Sequence, residues 1–225
     1  MDLLLARRRL RALHCHHGRG RLSRTNEWSG GTPPRLHLMR TGTAVLIRTR
    51  RDVANDVRAR IKALARREPP NLTETPALAD AYLEAFGAQC FRAGPAFEFP
   101  AALPAEAEDV VEVGPKSAHL LQGSLASWRP DVGKRGPFLA IAEEGRALAL
   151  CASVRITPHV HCAGVETDPE FRGRGLATRI VGAWARRVRA LGATPIYSTS
   201  WDNLASRGVA RRLGLKLAAV DFQID

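Results

Sequence analysis

The chain has 225 residues, of which 45% are hydrophobic and 25% charged, and its formal net charge is +12. That length serves one large domain or two small ones, and the apolar content supports a packed core and argues against intrinsic disorder. No apolar run approaches the roughly 20 residues needed to cross a bilayer, and the charge alone fits nucleic acid, an acidic substrate or a phosphorylated cofactor equally well.

Residues 1–19 read as a basic flexible arm. Leu3, Leu4 and Leu5 precede an arginine run (Arg7, Arg8, Arg9, Arg11), which reverses the order of a secretory signal. Cys15, Cys90, Cys151 and Cys162 form no CxxC pair, which points to a reduced, cytoplasmic protein without disulfides. His14, Cys15, His16 and His17 are adjacent rather than at the spacings that metal sites use, so no metal is expected. Residues 36–39 and 44–47 flank Thr41 and Gly42 and predict a hairpin. A helix follows Asp52, with Val53, Val57, Ile61 and Leu64 on one face, and Pro69 and Pro70 stop it. A second helix starts at Thr75 and Pro76, shows Leu78, Tyr82, Ala85 and Phe86, and ends at Gly87. Residues 92–109 are rich in Ala, Pro and Glu and predict a linker. The expected organisation is therefore an arm (1–19), an N-terminal α+β region (20–108) and a second domain (109–225).

In that second domain Val110, Val111 and Val113 predict a strand and residues 116–128 a helix. Residues 138–142 and 147–154 surround Glu143, Glu144, Gly145 and Arg146 and predict a hairpin of buried strands. A third strand spans residues 159–167. It leads into Arg172, Gly173, Arg174, Gly175, Leu176 and Ala177, and then into a helix whose apolar face is Ala177, Val181, Trp184, Val188 and Leu191, ended by Gly192. A helix start exposes unpaired amides and a partial positive charge. Glycines let those amides approach an anion, and two arginines add charge. Strand, basic glycine turn and amphipathic helix together predict a pyrophosphate cradle. It is not a Walker loop, since no Gly-Lys-Ser/Thr follows, nor a dinucleotide fingerprint, since the third glycine is absent.

These residues resemble the GNAT superfamily of acyl-CoA-dependent N-acetyltransferases, whose signature Arg/Gln-x-x-Gly-x-Gly/Ala is filled by Arg172, Gly175 and Ala177. The resemblance continues through a strand at residues 196–201, a helix opened by Asn203 and Ser206, and a last alternating strand with Ala218, Val220, Phe222 and Ile224. It covers about residues 110–225. A weaker likeness, over residues 20–36, is to the leader of a bacterial GNAT branch. The resemblance implies a mixed-sheet α/β fold of the GNAT kind carrying an N-terminal α+β extension. It implies transfer of an acetyl or other acyl group from acetyl-CoA to a primary amine, a small molecule or peptide. It also implies a possible homodimer, and neither a membrane nor, on this reading, a nucleic acid as partner.

The cofactor-binding residues it implies are Val165 and Thr167 on the strand before the cradle, Arg172, Gly173, Arg174, Gly175, Leu176 and Ala177 in the cradle, and Asn203 and Ser206 beyond it. A lysine-like amine has a pKa near 10.4 and needs a base. His161 is the first candidate, because its ordinary pKa near 6.5 suits neutral pH, and Glu166 is the second. The family's tyrosine acid is replaced here by Ala210, which leaves Tyr197 as the substitute. Two other functions compete. A non-catalytic acyl-CoA-binding module is suggested by Ala210, and a nucleic-acid-associated protein by the charge. The second ranks last, since aromatics are only 6% and do not interleave with the basic residues. Cys162 beside His161 is read as a buried strand thiol rather than a nucleophile.

Overall fold

Asp2 accepts a hydrogen bond from the Leu5 amide at 2.8 Å and so caps a helix, α1 (Leu3–Leu13). Residues 1–13 are therefore not a flexible arm. Ala6, Leu10, Ala12 and Leu13 are buried along one side of the helix, and the arginine-rich pattern hid that stripe. The chain continues into β1 (His14–His17), which pairs antiparallel with β2 (Arg21–Thr25).

The computed structural model describes residues 1–103, 109–134 and 136–225. By contacts the chain divides into two units. The first comprises Met1–Glu98, Ser198–Arg207 and Lys216–Asp225, and the second Phe99–Tyr197 and Gly208–Leu215.

In the first unit the expected hairpin is present as β3 (Leu36–Thr41) and β4 (Val45–Thr49), antiparallel. Both expected helices form, as α2 (Asn55–Arg67) and α3 (Ala79–Phe86), and Gly87 ends α3 in the left-handed conformation. Two assignments differ from expectation. Part of the predicted linker is a strand, β5 (Arg92–Glu98). Residues 104–108 of that linker lie outside the described residues. The last strand, β11 (Lys216–Ile224), belongs to the first unit rather than to the C-terminal domain, because it pairs antiparallel with both β3 and β5. The sheet order is thus β4-β3-β11-β5. Gly94 and Pro95 read as breakers in sequence. In the fold Gly94 is needed for close approach: a Cβ there would sit 1.9 Å from the Thr199 carbonyl oxygen. Leu36, Leu38, Ile61, Tyr82, Phe86, Phe222 and Ile224 form the core between sheet and helices.

The second unit is built on β6 (Val110–Glu112), β7 (Phe138–Glu143), β8 (Arg146–Ile156) and β9 (Val160–Thr167), an antiparallel run. After β9 comes α4 (Leu176–Ala190), then β10 (Thr194–Ser198), which returns parallel to β9. α4 covers β7, β8 and β9 through Ile180, Val181, Trp184 and Val188, all buried. α5 (Leu204–Arg212) follows β10. The helix expected at 116–128 is instead two 3₁₀ segments, Pro115–Leu120 and Gly123–Asp131. Gly123 at φ 54° interrupts the chain where a continuous helix would have run. No helix among the described residues is long and apolar enough to cross a membrane.

Candidate active site

β9 and β10 are paired only at Thr194 with Val160, Pro195 with His161 and Ile196 with Cys162. β8 stays paired with β9 as far as Thr167. Beyond Cys162, then, β9 keeps one neighbour and loses the other. Main-chain polar groups alternate sides along a strand. The Asp168 amide donates to the Leu148 carbonyl at 2.9 Å, so even-numbered residues here turn toward β8. Val165 and Thr167 therefore turn their N–H and C=O groups to the open side. Both were expected to serve there.

At the end of β9 the chain turns sharply and is braced. Asp168 accepts from the Glu170 amide at 3.2 Å, from Ser124 Oγ at 3.3 Å and from an Arg146 guanidinium N–H at 2.9 Å. Arg146 also reaches Glu170 at 3.1 Å and lies over the Phe171 ring. Arg146, foremost among its partners, holds the Asp168 carboxyl below the usual carboxylate range. The sequence analysis assigns none of these residues a bracing role, because Arg146 and Ser124 are more than 20 residues from Asp168 in the chain. The glycine turn follows, with Gly173 at φ 80° and Gly175 at φ 76°, and nothing within 4 Å of where either Cβ would be. Gly175 is the N-cap of α4, makes no side-chain cap, and is followed by a first turn free of acidic residues. The first amides of α4, those of Leu176 and Ala177, thus have no intrahelical acceptor and no carboxylate competitor. Arg172 and Arg174 are exposed on this turn. Arg172 Nε donates to the Thr167 carbonyl at 3.5 Å, and Arg174 lies over Phe171 and 3.6 Å from Glu143. An uncapped, acid-free helix start behind two left-handed glycines fits a diphosphate. Thr178, in the first turn of α4, accepts from Arg212 Nε at 3.0 Å.

The candidate bases fall on opposite faces of β9. His161 is 6% exposed, and its Nδ1 is 2.9 Å from Ser153 Oγ, which accepts from Trp184 Nε1 at 3.0 Å. The imidazole tautomer decides which of Nδ1 and Oγ donates in that contact, and in either case Nδ1 is engaged by Ser153. Burial pushes the His161 imidazole below the ordinary histidine value. His161 thus faces α4. Glu166, of opposite parity, lies on the other face, where Trp128 Nε1 donates to its Oε2 at 2.6 Å. Gly164 makes room there: a Cβ at that position would meet the Trp128 ring at 2.9 Å. Tyr197 is 2% exposed and shares the parity of Pro195, the residue opposite His161. Cys162 and Cys151 are buried, and burial raises the Cys151 thiol well above its ordinary value. Asn203 and Ser206 lie in the first unit, where Asn203 Oδ1 accepts from the Ser206 amide at 3.0 Å and caps α5.

The acetyltransferase (GNAT) family model matches residues 106–215. No protein of curated function matches the chain. Among solved structures, a GNAT-family acetyltransferase from Novosphingobium aromaticivorans is 22% identical, with 60% of this chain and 64% of that one covered and a TM-score of 0.49. A GNAT-family acetyltransferase from Colwellia psychrerythraea is 18% identical over 61% and 58%, TM-score 0.48. A GCN5-related N-acetyltransferase-like protein from Streptococcus suis is 16% identical over 84% of each chain, TM-score 0.47. The chain covers less than two thirds of the Novosphingobium and Colwellia proteins.

Proposed function

From a GNAT acetyltransferase domain over residues 106–215, we propose that this protein transfers an acetyl group from acetyl-CoA to a primary amine, with Glu166 as the base. Acyl transfer from acetyl-CoA is the general chemistry of the family. The observation that carries the reading is the loss of β10 as a neighbour to β9 after Cys162, directly ahead of the uncapped start of α4.

When bound, acetyl-CoA supplies the activated acyl carbon. The amides of Leu176 and Ala177, with Arg172 and Arg174, hold its diphosphate. Val165 and Thr167 offer main-chain donors and acceptors to the pantetheine arm, and one of their N–H groups is available to the carbonyl oxygen as charge develops there. Glu166 takes the proton of the attacking amine. The Trp128 indole N–H fixes the carboxylate through Oε2 and leaves Oε1 for that transfer. This moves the base from His161, whose Nδ1 is committed to Ser153 and whose ring is packed toward α4. A thiol leaving group with an ordinary pKa near 8.5 needs little help from an acid, so Tyr197 is read as core.

Free thiol release from acetyl-CoA, followed against a panel of primary amines, tests the proposal. Release that depends on an amine and yields an acetylated product is expected. Release independent of every amine, or none at all with acetyl-CoA bound, would leave a non-catalytic binding module.

A further inference from the structure

Within the first unit four cations from three elements, none of them given a role above, line one cavity. Arg21 comes from β2, Arg48 from β4, and Arg58 and Lys62 from successive turns of α2; Gly20, Ile47 and Thr49 complete the wall. The cavity is about 310 Å³, at the lower end of small-molecule sites, which run to about 1,000 Å³. No carboxylate lines it. Among the described residues none of the four cations forms an ion pair with one. The charge density extends beyond the wall. Burial, then Arg7 and Arg11 of α1, lower the Arg48 guanidinium from its ordinary value. Burial, then Arg48 and Arg11, do the same to the His16 imidazole.

Such crowding of like charge is unfavourable unless something answers it. Arg48 spends one N–H on the Ile47 carbonyl at 2.7 Å, and its Nε, like that of Arg58, is shielded from water without an acceptor. Gly20, at φ 76°, passes close to the Arg48 guanidinium: a Cβ there would lie 3.5 Å from Arg48 Nε. A cluster of fixed guanidinium groups with unused donors suits phosphate oxygens.

We propose that this cavity binds a small molecule carrying two or more phosphate groups, through residues other than those assigned to acyl transfer. Size and composition favour such a ligand over nucleic acid. A nucleic acid needs a basic groove that tracks its backbone, usually with aromatic side chains on which bases stack, and no aromatic residue lines this cavity.

Calorimetric titration of the full chain with tripolyphosphate at physiological salt tests it. Three proteins are compared: wild type, the α2 variant Arg58→Ala/Lys62→Ala, and a control, Arg66→Ala/Arg67→Ala, whose two arginines are exposed and do not line the cavity. Each double variant removes two positive charges from a solvent-facing element, so net charge is matched, and unchanged thermal unfolding checks that both fold. The proposal expects binding to weaken about tenfold or more in the α2 variant and less than about twofold in the control. Equal weakening in both would reduce the effect to general charge and overturn the site, as would no binding by the wild type. A single-stranded oligonucleotide that binds more tightly than tripolyphosphate, with the same loss in the α2 variant, would overturn the small-molecule assignment in favour of nucleic acid. None of these readings depends on acetyl-CoA.

Discussion

Asp221→Ala is expected to destabilise the protein by about 3–5 kcal/mol, read by urea unfolding, because it leaves a buried charge unanswered. Asp221, on β11, accepts from Arg9 of α1 through both oxygens, at 2.7 and 2.5 Å. Arg9 is 1% exposed. His37 Nε2 lies 2.9 Å from the same carboxylate, and His37 Nδ1 is 2.8 Å from His14 Nε2. One carboxylate therefore anchors α1, the start of β1 and β3. Burial pushes the Asp221 carboxyl up, while Arg9 and then His37 pull it well below the usual carboxylate range. A carboxyl depressed by folding contributes stability above its unfolded value, near 4, and loses it as the pH falls below that value. The wild type should thus lose stability on acidification in a step that Asp221→Ala lacks. Replacing Arg9 and Asp221 together by apolar residues should recover part of the loss, since removing both charges ends the desolvation penalty. A loss below about 1 kcal/mol in the single variant would place this pair with weak surface ion pairs.

Glu166→Gln should lower turnover by about 10²–10⁴-fold and leave acetyl-CoA affinity nearly unchanged. Glutamine keeps the size of the side chain and can still accept from Trp128, but it cannot take a proton from the amine. Because only the base is removed, the effect belongs in kcat rather than in binding. His161→Ala is the control. Its removal opens a cavity beside Ser153 and Trp184 and lowers stability, yet turnover of the folded fraction should persist. The reverse pattern, with Glu166→Gln active and a folded His161→Ala inactive, would return the base to His161.

What could be read in the sequence was what is contiguous in the chain. β9, the glycine turn and α4 follow one another, so this strand–turn–helix unit shows in Arg172, Gly175 and Ala177 without knowledge of packing. The hairpins β3–β4 and β7–β8 are likewise local. What escaped is what distant segments make together. Trp128 and Glu166 are 38 residues apart, and Arg9 and Asp221 are 212 apart, and no periodicity links them. Gly94 and Pro95 disguised β5, because a glycine required by the Thr199 backbone looks like a loop residue. Alternation revealed β11 as a strand but not which sheet it would join. The preference for His161 over Glu166 rested on ordinary pKa values. Burial beside Ser153 lowers the imidazole, and strand parity puts it on the α4 side.

The most direct test of the central claim is calorimetric titration of the purified protein with acetyl-CoA, wild type against Gly175→Glu. Gly175 sits at φ 76° as the uncapped N-cap of α4, so a glutamate there sets bulk and negative charge against the helix amides. Binding by the wild type in the micromolar range, lost in a folded Gly175→Glu, is the result predicted. Equal binding by both proteins would contradict the assignment of the diphosphate to the start of α4, and no binding by the wild type would contradict acetyl-CoA as the donor.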